Sequence, residues 1–176
     1  QSIKKVIMRI GVISDIHDRL DHLQLVMEEL READCEAIIC LGDICAPFTL
    51  LALLEHSEHL PIHLVFGNND GDIFLLSQIA SHHDRVTLHG QFGQTVIAGL
   101  RIAMTHYPAI ATPLAKSGDY DVILYGHNHT AASTIVGHCI LGNPGEIMGR
   151  LGTIGYGILD TDIPDFSLHT LCFSSR

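Results

Sequence analysis

The residues able to do chemistry in this sequence stand at the ends of apolar runs. Five such places occur in order: Asp15-x-His17, Gly42-Asp43, Gly67-Asn68-x-Asp70, His106 and Gly126-His127-x-His129. Asp15, His17, Asp43, Asn68, His106, His127 and His129 together offer carboxylate, amide and imidazole donors, enough for two divalent cations sharing a carboxylate. A donor set of this kind, without thiolate, suits manganese first, with nickel, zinc, iron or cobalt as alternatives. Two ions held ~3.5–4 Å apart lower the pKa of a water between them and clamp both oxygens of an in-line displacement. Hydrolysis of a phosphoester fits that chemistry, with Asn68 and His127 helping to stabilise the developing charge. Asp70 is a further catalytic candidate, either orienting a ligand from behind or capping the helix that follows it.

Blander readings of the same residues stand beside this one. Asp15 and Asp43 are also good helix caps after strands, and His106 between Thr105 and Tyr107 could be a core histidine. The string Asn68-Asn69-Asp70-Gly71-Asp72 has the composition of a calcium loop, but its glycine is misplaced and no Glu follows where one is needed. His22, His56, His59, His63, His82, His83, His89, His138 and His169 read as surface or packing residues.

The elements that must hold these groups follow from periodicity. Val6–Ser14 is rich in β-branched residues and reads as a central strand. Leu20, Leu23, Met27 and Leu30 make the apolar stripe of an amphipathic helix. Ala37–Leu41 and Ile62–Phe66 read as buried strands. A helix after Pro47 has Leu50, Leu51, Leu53 and Leu54 on its apolar side, and a short one runs from Ile73 to Ile79. This alternation predicts a parallel sheet wound with helices, whose sites lie beyond the carboxyl ends of the strands.

Further strands are expected at Val86–His89, Gln94–Ile97, Arg101–Thr105, Val122–Tyr125, Ala132–Val136, Cys139–Leu141, Ile154–Leu159 and Phe166–Leu171, with a helix over Ala109–Lys116. Gly126 lets the backbone turn sharply with no Cβ in the way, and Asn143-Pro144-Gly145 is a turn signature. The late strands have no helices between them, so a second, mostly antiparallel sheet is expected to pack on the first. No linker, repeat or low-complexity tract divides the chain, and a single domain over residues 1–176 is expected.

Composition narrows the partners. Apolar residues are 47% and charged residues 17%, with a mean hydropathy of +0.27, which fits a compact core and no disordered tail. The net charge is −10 and Lys4 and Lys5 are the nearest thing to a basic block, which excludes a long nucleic-acid footprint. Bound cations would still draw a phosphate into an acidic protein. Cys35, Cys40, Cys45, Cys139 and Cys172 form no C-x-x-C pair and read as small buried residues of a reducing compartment. No apolar run approaches a membrane span and no signal-peptide pattern precedes the first strand, so the expected location is cytoplasmic; Met8 is a plausible start.

The five motifs, in this order, resemble those of the calcineurin-like metallophosphoesterase superfamily, and most closely its small YfcE-like phosphodiesterase branch. The resemblance spans nearly the whole chain. It implies an α/β fold, a four-layer αββα sandwich of two mixed sheets flanked by helices, with a dimetal centre at one edge. It implies Asp15, His17 and His129 as ligands of one ion, Asn68, His106 and His127 as ligands of the other, and Asp43 as the bridge. The Asn143-Pro144-Gly145 turn is also similar to one in this branch. Many members carry an acid His where this chain has Asn69, and His-Gly where it has His106-Tyr107. The expected substrate contacts are Arg19, Asn69 and Tyr107, the expected substrate is a small phosphoester, and a homo-oligomer is plausible by resemblance. The competing expectation is a scaffold that keeps the fold without turnover, as in the metallophosphoesterase-like subunit of retromer.

Overall fold

A computed structural model describes residues 8–172, with the side chain of Cys172 excepted. Val6, Ile7, Lys4 and Lys5 lie outside these residues. The first half alternates as expected: β1 (Arg9–Ile13), α1 (Leu20–Glu32), β2 (Ala37–Cys40), α2 (Pro47–His56), β3 (Ile62–Leu64), α3 (Ile73–Ser81) and β4 (Val86–Leu88). The second half runs β5 (Phe92–Ile97), β6 (Leu100–Thr105), α4 (Pro108–Ala115), β7 (Val122–Leu124), β8 (Ala132–Val136), β9 (Cys139–Asn143), β10 (Thr153–Asp160) and β11 (Asp165–Cys172).

The strands form two sheets. The first has the order β11-β10-β1-β2-β3-β4, and the second β5-β6-β7-β9-β8. β1 to β4 are parallel, while β10 and β11 join antiparallel. In the second sheet β6, β7 and β9 are parallel, with β5 and β8 antiparallel on its edges. Both sheets are therefore mixed, as the family resemblance implies, and the expectation of a mostly antiparallel second sheet is corrected.

The correction has a physical cause. β10 leaves β8 and β9, which precede it, and with β11 joins the open edge of β1, Arg9 opposite Asp160 and Val12 opposite Gly157. Its two faces are both buried, Ile154 and Tyr156 toward the helices and Leu159 toward the second sheet. Gly157 and Gly142 leave the space that the Phe166 ring fills between the sheets.

Alternation along each strand sorts side chains into layers. Ile13, Ile38, Cys40, Ile62 and Leu64 face α1 to α3, meeting Leu23, Met27, Leu50, Leu53 and Leu76. Ile10, Val12, Ile39 and Leu41 face Ile102, Met104, Val122 and Leu124 across the middle. Ala103, Ile123 and Leu141 turn outward onto Ala111 and Ala115 of α4. The result is helix, sheet, sheet, helix. Of the α2 leucines, Leu50, Leu53 and Leu54 are buried; Leu51, offset from them, is 49% exposed, against expectation.

Candidate metal centre

The parallel strands β1, β2, β3, β6, β7 and β9 all end at one edge, and each hands the chain to a loop carrying a polar side chain. Asp15 and His17 follow β1, Asp43 follows β2, Asn68 follows β3, His106 follows β6, and His127 and His129 follow β7. The folded chain brings all seven together. The loops are backbone-bonded to each other: Asp15 N–H donates to Gly42 O at 3.1 Å, and Ile16 and His17 N–H both donate to Asp43 O at 3.0 Å.

Several of these residues hold left-handed backbone: Asp15 (φ 53°), His17 (47°), Asp43 (54°), His127 (75°) and His129 (59°). Such conformations cost about 1–3 kcal/mol each and persist where surrounding bonds over-determine them. Asp and His tolerate this region better than most residues. Gly126 has another use than the sharp turn expected of it: a Cβ there would collide with Ser14 Oγ and lie 2.9 Å from Asp15 Oδ2.

Two groups of ligand atoms lie within 4.8 Å of one another, Asp15 with His17 and His129, and Asp15 with Asp43 and His106. Asp43 Oδ2 is 3.3 Å from His17 Nε2 and 3.5 Å from His106 Nε2, so Asp43 also touches both. Asn68 Oδ1 lies 3.1 Å from His106 Nε2 and 2.8 Å from His127 Nδ1. The helix-cap reading of Asp15 and Asp43 falls away, because Arg19 and Ala46 occupy the N-cap positions of α1 and α2. His106 is fully buried, yet it turns a ring nitrogen to the carboxylates.

Two buried carboxylates dominate the site. Asp15 and Asp43 are 0% and 1% exposed, and Asp15 Oδ1 and His17 Nε2 are buried without any hydrogen-bond partner. Buried polar atoms are otherwise nearly always satisfied. Asp15, then Asp43, pushes the His17 imidazole up to about 9 against the effect of burial. Burial pushes the Asp43 carboxyl up, but His106, His17 and Asn69 outweigh it and hold the group below the usual carboxylate range. A carboxylate and imidazole set with orphaned atoms facing inward fits divalent cations.

The remaining expected residues are placed less simply. Asp70 lies behind the loops, accepting from Gly67 N–H (2.6 Å), Cys45 N–H (2.9 Å) and Asp43 N–H (3.2 Å). The cap of α3 belongs to Asp72, which accepts from Leu75 N–H. Asn69 donates its backbone N–H and its Nδ2 to the two oxygens of Asp43, each at 2.8 Å. Arg19 pairs with Asp21 through Nε and Nη2 and donates Nη1 to Met148 O at 3.2 Å. Tyr107 packs edge-on to His106 and tilted against His127, ring centroids 5.3 and 5.7 Å apart.

Sequence reasoning missed three supports. Ser14 Oγ donates to Asp15 Oδ2 at 2.6 Å. Asn143, fully buried, donates Nδ2 to Gly126 O at 3.2 Å and to Asn128 Oδ1 at 2.7 Å. Glu146, 2% exposed, meets His129 Nδ1 with Oε2. The turn at Asn143-Pro144-Gly145 was the signal available, since it delivers both Asn143 and Glu146 to the same edge.

This fold and edge define a class, and comparison with known proteins gives it a name. The profile of the calcineurin-like phosphoesterase superfamily domain matches residues 8–163, and the chain belongs to that superfamily. It is 31% identical over 164 residues to the phosphodiesterase MJ0936 of Methanocaldococcus jannaschii, covering 90% of this chain and 96% of that protein. Phosphodiesterase YfcE of Escherichia coli strain K12 is 25% identical over 175 residues, covering 89% of each chain. A solved structure of an archaeal phosphodiesterase superposes with a TM-score of 0.86 at 30% identity, covering 93% of this chain and all of the other.

Proposed function

We propose that the protein is a metal-dependent phosphodiesterase acting, as one domain, on a small phosphoester. The observation that carries this reading is the pair of buried, unpartnered atoms, Asp15 Oδ1 and His17 Nε2, inside converging carboxylates and imidazoles. Relatives named phosphodiesterase across nearly their whole length support it. Asp15, His17 and His129 would hold one divalent cation and Asn68, His106 and His127 a second, with Asp43 shared. Bound there, such cations supply Lewis-acid polarisation of a phosphoryl oxygen and a water acidic enough to ionise near neutral pH.

The chain's own contribution is arrangement. Leu41 O accepts from His106 Nδ1 at 2.7 Å, which keeps the proton there and leaves Nε2 as a lone-pair donor. Asn68 and His127 are the exposed members of the set, free to meet a phosphoryl oxygen. Tyr107 bounds the approach beside His127. Asp70 acts through the backbone of the Asp43 and Gly67 loops. Asn69 holds Asp43 with both its donors, and an amide has no acidic proton to give a leaving group. Arg19, 42% exposed, stands nearby but spends its guanidinium on Asp21 and Met148 O.

Manganese is the cation to try first. A cytoplasmic location is part of the reading, supported by the free thiols of Cys35, Cys40, Cys45 and Cys139. So is self-association, supported by exposed Phe48 and Leu51 on α2 and Ile73 and Phe74 on α3. Among the described residues no helix is long and apolar enough to cross a membrane.

The test is hydrolysis of bis-p-nitrophenyl phosphate with added manganese, compared with Asp43→Asn and His127→Ala. Each variant should lose at least the roughly 10–100-fold that follows even from losing a partner behind a metal ligand. A wild-type rate no higher than that of both variants sinks the proposal.

A further inference from the structure

Glu146 is a buried acid with no part in the reaction described above, and its surroundings are built with care. Its Oε2 meets His129 Nδ1, and its Oε1 accepts Leu151 N–H at 2.6 Å. Its own carbonyl accepts Gly155 N–H at 2.8 Å, and Asn143 Oδ1 accepts Gly145 N–H at 2.9 Å in the turn just before it. The next two residues are tied to the strand end that carries Asp15: Ile147 N–H donates to Ser14 O (3.1 Å) and Met148 N–H to Asp15 O (2.9 Å). From the other side, His22 Nδ1 donates to Ile147 O at 2.9 Å and Arg19 Nη1 to Met148 O. Glu146 is therefore fixed in register with Asp15.

The opposite nitrogen of the same imidazole, His129 Nε2, lies 3.4 Å from the orphaned Asp15 Oδ1. A carboxylate only accepts, so His129 Nδ1 carries a proton, and in the neutral ring the lone pair then lies on Nε2, toward Asp15. His17 has no such support: its Nδ1 meets only Cys45 Sγ, at 3.5 Å. We infer that Glu146 is a positioning residue, which locks His129 in the Nδ1–H tautomer and makes it the better anchored imidazole of the Asp15–His17–His129 group. This rests on the metal-centre reading above, and it concerns a residue that the five motifs do not include.

Glu146→Gln separates this from a merely structural role. An amide has one acceptor oxygen, while Leu151 N–H and His129 Nδ1–H both need one. With its oxygen kept by Leu151, the amide NH₂ faces His129 Nδ1 and drives the proton to Nε2. Long-range proton–nitrogen correlation spectra of the metal-free protein, with the ring assigned by its loss in His129→Gln, read the tautomer directly. The wild type should show Nδ1–H, and Glu146→Gln should lose it. Calorimetry with manganese(II) alone should then give a 10–100-fold weaker affinity. Glu146→Asp, which keeps the charge but shortens the reach, should fall between the two.

A wild-type His129 with no proton on Nδ1, or a Glu146→Gln protein binding manganese as tightly as wild type, overturns the inference. Both readouts are independent of turnover. A protein that fails on diesters but shows the tautomer change and the weakened affinity would lose the proposed activity and keep Glu146's role.

Discussion

Asn69 shows at the scale of one residue what the site has and lacks. Its backbone N–H and its Nδ2 both sit on Asp43, so it steadies that carboxylate instead of delivering a proton. Without general acid help, a leaving group must depart with its own negative charge, and the rate should track its basicity. Across substituted phenyl esters of one diester series, the rate should rise steeply as the phenol becomes more acidic. A flat dependence would show that some other group supplies the proton. In the sequence, Asn69 is visible as a departure from the motif; its engagement with Asp43 is not, because that depends on how the loops after β2 and β3 meet.

At the scale of elements, the site is a set of strand ends held at van der Waals distance. Gly126, at the end of β7, lets the backbone lie against Ser14 and Asp15 after β1. Gly126→Ala should therefore displace the Asp15 carboxylate and weaken manganese binding by 10-fold or more, in a protein whose far-ultraviolet circular dichroism is unchanged. Unaltered manganese calorimetry in that variant would mean that the strand ends can part without harm.

Arg85 does a different job at the far end of the same layer. It donates to Ser57 Oγ, Leu60 O and Leu54 O, closing the carboxyl end of α2. Hydrogen bonds to charged groups contribute about 1.5–3 kcal/mol each before context. Arg85→Ala should cost about 2–3 kcal/mol in urea unfolding while leaving metal affinity intact. A loss below about 0.5 kcal/mol, the usual scatter of surface substitutions, would refute the capping role.

At the scale of the whole molecule, acid sensitivity outside the site should trace to one pair. His63 on β3 and His89 after β4 stack with centroids 5.2 Å apart, Nδ1 of the first 2.9 Å from Nε2 of the second. Burial, and for His63 also the neighbouring His89, holds both imidazoles below their ordinary value of 6.5. Above pH 6.5 both are neutral whether folded or unfolded, and their contribution is fully present. As pH falls below 6.5 the unfolded chain takes up protons that the folded pair resists, and stability is lost. The fall in Tm from pH 7 to 5.5 should be shallower in His63→Gln than in the wild type; parallel curves would assign the acid sensitivity to other groups.

Much of this protein is written locally. Strands such as Ala37–Cys40 announce themselves by continuous β-branched and apolar runs, and α1 by a stripe at helical spacing, because burial of one face depends on neighbours in sequence. The donors Asp15, Asp43, Asn68, His106 and His127 are legible for the same reason: each follows the apolar run that points it to the sheet edge. Tertiary structure alone decided the rest. β10 pairs with β1 across more than 140 residues of chain, and nothing local distinguishes the edge it chooses from the edge of the second sheet. Glu146, after a polar turn, reads like any solvated acid until β9, β10 and the end of β1 close around it and aim it at His129. The sequence by itself determined which residues reach the edge; only packing determined which nitrogen or oxygen of each faces inward.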